Sequence, residues 1–158
     1  MTVKHVFFRV EGQPIPEGSM KAFRHPGRFA SIVPANQKDL LHWRRAVAYA
    51  ASEAWQEGFE RPVPTTRPAE VHATFWFRRP KGHFGTGRNR ATLKPSAPRR
   101  HTVKPDTDKL QRAIGDALTG IVLVDDSQIY AWARPEKFWL PQPDDEPYAE
   151  IAVVFDDP

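Results

Sequence analysis

The chain has 158 residues, the length of one domain, and its 23 Lys and Arg against 19 Asp and Glu give a net charge of +4. With 40% hydrophobic residues it can bury a core. It has no Cys, which excludes disulfides, thiolate zinc sites, Fe–S clusters and Cys nucleophiles. No apolar run approaches the roughly 18 residues that span a membrane, and the N-terminus is too charged for a secretory signal, so we expect a cytoplasmic protein with no membrane partner.

The first half of the chain predicts two strands and one helix. A strand is expected over Lys4–Val10. Apolar residues then recur at helical spacing from Asn36, the expected N-cap, to Glu57, and Gly58 ends this helix. Apolar and polar residues alternate over Val71–Arg78, which predicts a strand buried on one face.

Residues 79–105 predict a long basic loop. Four Pro and three Gly in this stretch exclude a regular helix or a central strand. Connections of this length are usually functional or disordered, and a basic loop that becomes ordered on a ligand satisfies both descriptions.

The remaining elements predict a second helix and further strands. Apolar residues recur without a miss over Thr107–Thr119, and Gly120 follows where a helix ends. Ile121–Val124 predicts a short buried strand, and Gln128–Trp139 and Tyr148–Phe155 predict two more, the former interrupted by Pro135 and therefore at an edge. The fold class is therefore α+β (or α/β): a small mixed sheet with two helices packed on it, in a single domain over residues 1–158.

The charges are strongly segregated along the chain. Residues 71–105 hold nine Lys and Arg and no acidic residue, whereas 141–158 hold six Asp and Glu and no basic residue. Nine cations repel one another unless a polyanion neutralises them, which favours nucleic acid over a merely solvated loop. The acidic C-terminal end either increases solubility or competes within the molecule for the basic surface.

Two acidic elements flank the second helix. Asp106 and Asp108 lie at its start, where a single Asp is usually a cap, and Asp125 and Asp126 follow the short apolar run, where a turn pair is common. The helix runs in one direction and the apolar run after it brings the chain back over a similar length. This could place Asp125 and Asp126 close to Asp106 and Asp108. Converging carboxylates repel unless a cation joins them, and oxygen ligands suit Mg²⁺ or Mn²⁺ rather than zinc.

Arg112 has two interpretations. Asp108, Arg112 and Asp116 share one helix face at a spacing of four residues, which is typical of an exposed ion-pair ladder. Alternatively, Arg112 lies one turn beyond the proposed metal ligands and could reach a phosphate that the metal binds.

These residues resemble the RusA family of Holliday junction resolvases, which are often phage-encoded. The resemblance is carried by an Asp-x-Asp at 106–108 that opens a helix, by Asp-Ala-Leu-Thr-Gly at 116–120, and by Asp-Asp-Ser-Gln at 125–128. It covers about 25 residues of specific spacing. Weaker likeness covers the N-terminal strand, the basic Pro-rich loop after it and the first helix.

The resemblance implies a homodimeric, Mg²⁺-dependent endonuclease (with Mn²⁺ as a substitute) that cuts four-way DNA junctions by paired symmetric nicks. Such an enzyme serves DNA recombination and repair in a bacterial or phage-infected cell and needs no small-molecule cofactor. The implied catalytic residues are Asp106, Asp108, Asp126 and Arg112, and the implied metal ligands are Asp106, Asp108 and Asp126, with Asp125 as the other candidate of its pair. The family usually has Lys where Arg112 stands and Asn where Lys109 stands; Arg keeps the charge but does not readily give up a proton.

Basic residues are expected to contact the DNA backbone with little sequence information. They are Lys21, Arg24, Arg28, Arg99, Arg100, Lys104 and Lys109. A second interpretation is a structure-selective DNA-binding protein without catalysis, in which the aspartates only cap and turn. A third, an Asp-x-Asp sugar-nucleotide enzyme, is disfavoured by the basic loop and the small size.

Overall fold

The computed structural model describes residues 4–18, 20–23, 26–27, 31–34, 36–58 and 64–156. Within these ranges the elements are β1 (Lys4–Glu11), β2 (Met20–Phe23), β3 (Ser31–Pro34), α1 (Gln37–Gly58), β4 (Ala69–Phe77), α2 (Thr107–Leu118), β5 (Ile129–Trp139) and β6 (Tyr148–Phe155). Single-turn 3₁₀ helices occupy Lys81–His83, Gly87–Asn89 and Asp126–Gln128.

Four strands form a mixed sheet in the order β1-β6-β4-β5. β6 is antiparallel to both of its neighbours, whereas β4 and β5 are parallel and are joined by the basic loop and α2. β2 and β3 form a separate antiparallel pair. The expected α+β class is therefore confirmed.

Both helices pack on one face of the sheet. Val6, Val153 and Val71 stand directly opposite one another on three neighbouring strands and are buried in one core with residues of α1 and α2. α1 lies against β1 and α2 against β5, and the two helices contact each other. Within the described part of the chain, no helix is long and apolar enough to cross a membrane.

The predicted amphipathic pattern of α2 is confirmed. All five apolar positions of its stripe are buried: Leu110, Ala113, Ile114, Ala117 and Leu118. Gly120 adopts a φ of +78°, the left-handed conformation that glycine accepts after a helix end.

Asn36 precedes α1 as predicted, but its side chain does not cap the helix. Its Nδ2 donates to the carbonyl oxygen of Pro16 at 3.0 Å, and its Oδ1 has no partner among the described residues. Asn36 therefore ties the segment after β1 to the start of α1.

The prediction of a strand at Ile121–Val124 is wrong. The N–H groups of Ile121, Val122 and Leu123 all point to the carbonyl oxygen of Leu118, at 3.0–3.2 Å, so the chain turns back on the end of α2. Val122 and Leu123 are buried in this turn, which accounts for the apolar run without a strand.

β5 lies at an edge and is irregular at its proline, as predicted. Arg134, just before Pro135, has a φ of +47°, and the pairing with β4 shifts register between His72 and Thr74. This interruption is a β-bulge.

The basic loop contains no long regular element, as predicted, and contacts within the loop hold its backbone. Gly85 N–H donates to the carbonyl oxygen of Thr92 at 2.9 Å, and Lys94 N–H donates to the carbonyl oxygen of His83 at 2.9 Å. Phe84 is fully buried and anchors the loop.

Candidate active site

One cavity brings together three of the predicted site residues. It has a volume of about 260 Å³ and lies between α2 and the start of β5. Asp108 and Arg112 line it from α2, and Asp126 lines it from the turn before β5. The rest of the lining is Gln111, Gly115, Ile129 and Trp132. We call this space the carboxylate cavity.

Gly115 allows Asp126 to approach α2. A Cβ atom at this position would lie 3.6 Å from the Cβ and 3.8 Å from Oδ2 of Asp126. Any side chain longer than a methyl group would therefore meet the Asp126 carboxylate. Gly115 keeps the carboxylate cavity open on the helix side.

Asp125 and Asp126 have different surroundings although they are adjacent. The Asp125 carboxylate accepts a hydrogen bond from Ser127 N–H at 2.9 Å. Hydrogen bonding by the side chain of Ser127, and then by its N–H, lowers the pKa of Asp125. Asp125 N–H in turn donates to Oε1 of Gln128 at 2.9 Å, completing a capping box around the 3₁₀ turn. Gln128 also donates to the carbonyl oxygens of Thr65 and Arg67, at 2.7 and 2.9 Å. Asp125 therefore holds the turn in place, and Asp126 faces the cavity.

Asp106 does not line the carboxylate cavity. It is the N-cap residue of α2 in extended conformation, and it lines a separate cavity of about 380 Å³ with Lys104, Lys109 and residues 13–18. The expectation that Asp106 and Asp108 face the same space is thus not met. Residues 4–156, apart from their undescribed gaps, contain no group of three or more His, Asp or Glu that could hold a metal ion.

Lys137, which the sequence did not single out, holds the chain that leads into α2. From β5 its Nζ donates to the carbonyl oxygens of Val103 and Pro105, at 2.8 and 2.7 Å. Burial lowers the pKa of Lys137, and the carboxylate of Asp106 opposes this shift. Lys137 therefore supports the segment from which Asp106 and Asp108 project.

Arg112 makes no ion pair within 4 Å among the described residues, so the ladder interpretation does not hold here. Its expected partner Asp116 is bound instead by Arg44 of α1, which also binds Glu17. The guanidinium of Arg112 is thus available to a ligand in the carboxylate cavity.

The group formed by Glu17, Arg44 and Asp116 connects three parts of the chain behind the carboxylate cavity. Burial raises the pKa of Asp116; Arg44 opposes this shift, and the carboxylates of Glu17 and Asp126 add to it. Arg44 therefore balances negative charge close to Asp126. No local pattern indicates this group, because its members are far apart in sequence.

The comparison with protein families agrees with this arrangement. The family described as Endodeoxyribonuclease RusA matches residues 11–153. The chain belongs to the RusA family. A search of curated proteins finds no match.

RusA membership makes this chain an endodeoxyribonuclease by family, and it implies an enzyme that resolves Holliday junctions. The matched range contains the carboxylate cavity and the whole basic loop. The substrate class of the RusA family is branched DNA.

The basic residues predicted to bind DNA fall in several places. Lys104 and Lys109 line the cavity of Asp106, and the Lys109 ammonium is 3.9 Å from Asp106 Oδ2. Arg99 and Arg100 are exposed on the loop, and Arg100 lies 3.7 Å from Glu136. Arg24, Arg28 and the side chain of Lys21 lie outside the described residues.

Proposed function

We propose that this RusA-family chain is a Mg²⁺-dependent endonuclease that resolves four-way DNA junctions by paired symmetric nicks, acting as a homodimer in recombination and repair. The observation that carries the proposal is the carboxylate cavity, where acidic side chains from two separate stretches of chain meet an unpaired guanidinium. A basic loop, which attracts phosphodiester, lies in the same crossover between β4 and β5.

The carboxylate cavity suits a hard divalent cation. Asp108 and Asp126 offer carboxylate oxygens, and Mg²⁺ is usually bound through one or two carboxylates together with water and substrate phosphate. Mn²⁺ is expected to substitute because it prefers the same ligands. When bound, the metal polarises the scissile phosphate and makes its water a better nucleophile. Asp106 belongs to the proposed catalytic set through the family resemblance.

The side chains of this chain have separate roles in the proposed reaction. Arg112 would hold the non-bridging oxygens of the scissile phosphate and stabilise the negative charge that develops there. Since a guanidinium does not readily lose its proton, a carboxylate oxygen of Asp108 or Asp126 would accept the proton of the attacking water. Asp125 is assigned to the turn rather than to the metal, because its carboxylate already accepts from Ser127.

The basic residues would hold the arms of the junction. Lys104 and Lys109 flank the start of α2, and Arg99 and Arg100 lie earlier on the basic loop. We include Lys21, Arg24 and Arg28 on the basis of their charge. Such phosphate contacts position the substrate without reading its sequence.

The adjacent aspartates provide a matched test. We expect Asp126→Asn to bind a synthetic four-way junction as tightly as the unsubstituted protein but to cleave it about a hundredfold more slowly or worse with Mg²⁺. Asp125→Asn should keep cleavage within a few-fold, because Asn also caps a helix. Single-turnover cleavage and junction binding without divalent metal would measure both effects.

A non-catalytic DNA-binding protein is the alternative, favoured by the capping role of Asp125 and the N-cap position of Asp106. Junction binding with no nicking in Mg²⁺ or Mn²⁺ would establish it. Cleavage by Asp126→Asn at the unsubstituted rate would remove the proposed site.

A further inference from the structure

Another cavity lies beside the basic loop, away from the proposed site of cleavage. Its volume is about 780 Å³, and it shares no lining residue with the carboxylate cavity. Arg78, Lys81 and Arg90 line it, together with the buried Phe84. The remaining lining is Arg79, Gly85, Thr86, Gly87, Ala91, Pro143 and Asp144. We call this space the loop cavity.

The cations of the loop cavity differ in what they already bind. Arg79 is committed to the fold, because it donates to the carbonyl oxygens of Leu140 and Pro98, at 3.1 and 2.8 Å. Lys81 and Arg90 are exposed and make no ion pair with any residue that the structure describes. Two cations therefore face the cavity without a counter-charge.

The shape of the loop cavity is fixed by the loop itself. A Cβ on Gly85 would lie 2.7 Å from both Cβ and the carbonyl oxygen of Asn89, so the chain passes too closely there for any other residue. Gly87 has a φ of +56°, and Phe84 is fully buried beneath the loop. These contacts fix the backbone around the cavity, so that binding an anion would order only the side chains of Lys81 and Arg90.

An acidic turn at 144–146 also contributes to the lining. Arg78 is paired with Glu146 at 2.7 Å, and its Nε donates to the carbonyl oxygen of Asp145 at 3.2 Å. Asp144, in the same turn, lines the cavity, is exposed and makes no ion pair among the described residues. This turn therefore places negative charge where an anionic ligand would lie.

The loop cavity is well separated from the carboxylate cavity. Trp132 lines the carboxylate cavity and pairs with Val71 of β4, seven residues before Arg78. At roughly 3.3 Å per strand residue this is about 23 Å along β4, the length of about seven base pairs of duplex DNA.

We infer that the loop cavity is a second DNA-backbone site, in which Lys81 and Arg90 bind phosphates of a junction arm and Asp144 limits the affinity. The inference rests on the proposed function for its ligand. It adds a contact remote from cleavage, and it assigns to one residue of the acidic C-terminal region a role in competing with DNA.

Two pairs of variants test the inference by binding of a labelled four-way junction without divalent metal over a range of salt concentrations. Removing two phosphate contacts with the double variant Lys81→Ala/Arg90→Ala should weaken binding about tenfold or more and flatten the log–log salt dependence by about two units. Asp144→Asn should tighten binding several-fold.

Matched controls separate this site from general charge effects. Arg88→Ala removes an exposed cation from the same loop that does not line the cavity, and Glu53→Gln removes an exposed acid from α1. The single variant Arg90→Ala is compared with Arg88→Ala, and Asp144→Asn with Glu53→Gln. The inference is overturned if either variant affects binding no more than its control. If the unsubstituted protein binds and cleaves the junction but each variant binds it as its control does, the inference about the loop cavity fails and the proposed function stands. Absence of any junction binding by that protein would instead remove the proposed function.

Discussion

Arg44 lies between the carboxylates of Glu17 and Asp116, and its side chain is 29% exposed. We expect its contribution to the free energy of unfolding to lie between that of an exposed ion pair and that of a fully buried one. Because Asp126 also acts on Asp116, the charge of Arg44 affects the surroundings of the proposed metal ligands.

We expect Arg44→Gln to lower the free energy of unfolding by about 1–3 kcal/mol at neutral pH, since two carboxylates would lose their shared cation. The folded-state pKa of Asp116 is already raised above 3.8 and should rise further in the variant. Because the folded state then holds its proton more tightly than the unfolded state, the free energy of unfolding falls as the pH rises through this pKa. The loss of stability caused by Arg44→Gln should therefore grow above about pH 4. Urea unfolding at several pH values would measure this.

Arg45→Gln is the control for Arg44→Gln. Arg45 is the next residue on α1 and is exposed. Equal losses of stability in the two variants would contradict the assigned role of Arg44.

The division of work between Asp125 and Asp126 shows how far residue-level prediction reaches. The sequence identified the pair, because two acids after an apolar run near an Asp-x-Asp are unusual in combination. It could not assign the two roles, which depend on the capping box with Gln128 and on the close approach at Gly115. The capping box is a local Asp-x-x-Gln pattern, whereas the approach of Asp126 to Gly115 is a contact between elements that local sequence does not encode.

At the scale of elements, α2 was predictable and the turn after it was not. The burial of every stripe residue follows from spacing alone. The run at 121–124 is equally apolar, but periodicity cannot distinguish a short buried strand from a buried turn. Three N–H groups directed at the carbonyl oxygen of Leu118 make this run a turn. The turn conformation follows from the end of the helix rather than from the type of residue in the run.

The basic loop is fastened by an aromatic contact. His101 is 5% exposed, and its ring lies 4.3 Å from that of Phe77 and 4.1 Å from that of Trp139. Burial lowers the pKa of His101 from 6.5, and the positive charge of Lys137 lowers it further. The folded protein therefore favours neutral imidazole at this position.

We expect the unfolding free energy to fall as the pH drops below 6.5, because the unfolded chain binds a proton that folded His101 resists. The contribution can reach about 1.4 kcal/mol per pH unit. His101→Phe keeps the packing and should lose this part of the acid sensitivity, as measured by urea unfolding at about pH 5.5 and about pH 7.5. The exposed His42→Phe is the control, and identical profiles for the two variants would argue against the assignment.

For the whole molecule, the sequence predicted the class, the edge position of β5 and the location of the basic loop. It did not predict that Asp106 and Asp108 line separate cavities, because residues two apart point to the same side only while the chain stays extended. α2 begins at Thr107, between the two residues, and the helical turn separates their side chains.

A symmetric junction cut on two strands requires two active sites related by a two-fold axis, and therefore a dimer. We expect dimers that contain one unsubstituted and one Asp126→Asn subunit to nick one strand, so that nicked junctions accumulate in place of resolved duplexes. Differently tagged subunits, co-expressed and purified by both tags, would provide the mixed species for gel analysis of the products. Full resolution by mixed dimers, or a monomeric mass in solution, would contradict the paired-nick proposal.

The hydrogen bond from Gly85 to Thr92 closes the base of the loop around residues 86–91. Lengthening a segment that is closed at its base costs little, since doubling a loop adds only about 0.6 kcal/mol of entropy. The tip is therefore a place where residues can be added or exchanged at small cost to folding, provided that Gly87 and the close approach of Gly85 to Asn89 are kept. Transplanting tips between relatives would change the affinity for DNA while the proposed catalytic site, between α2 and the turn before β5, is left intact.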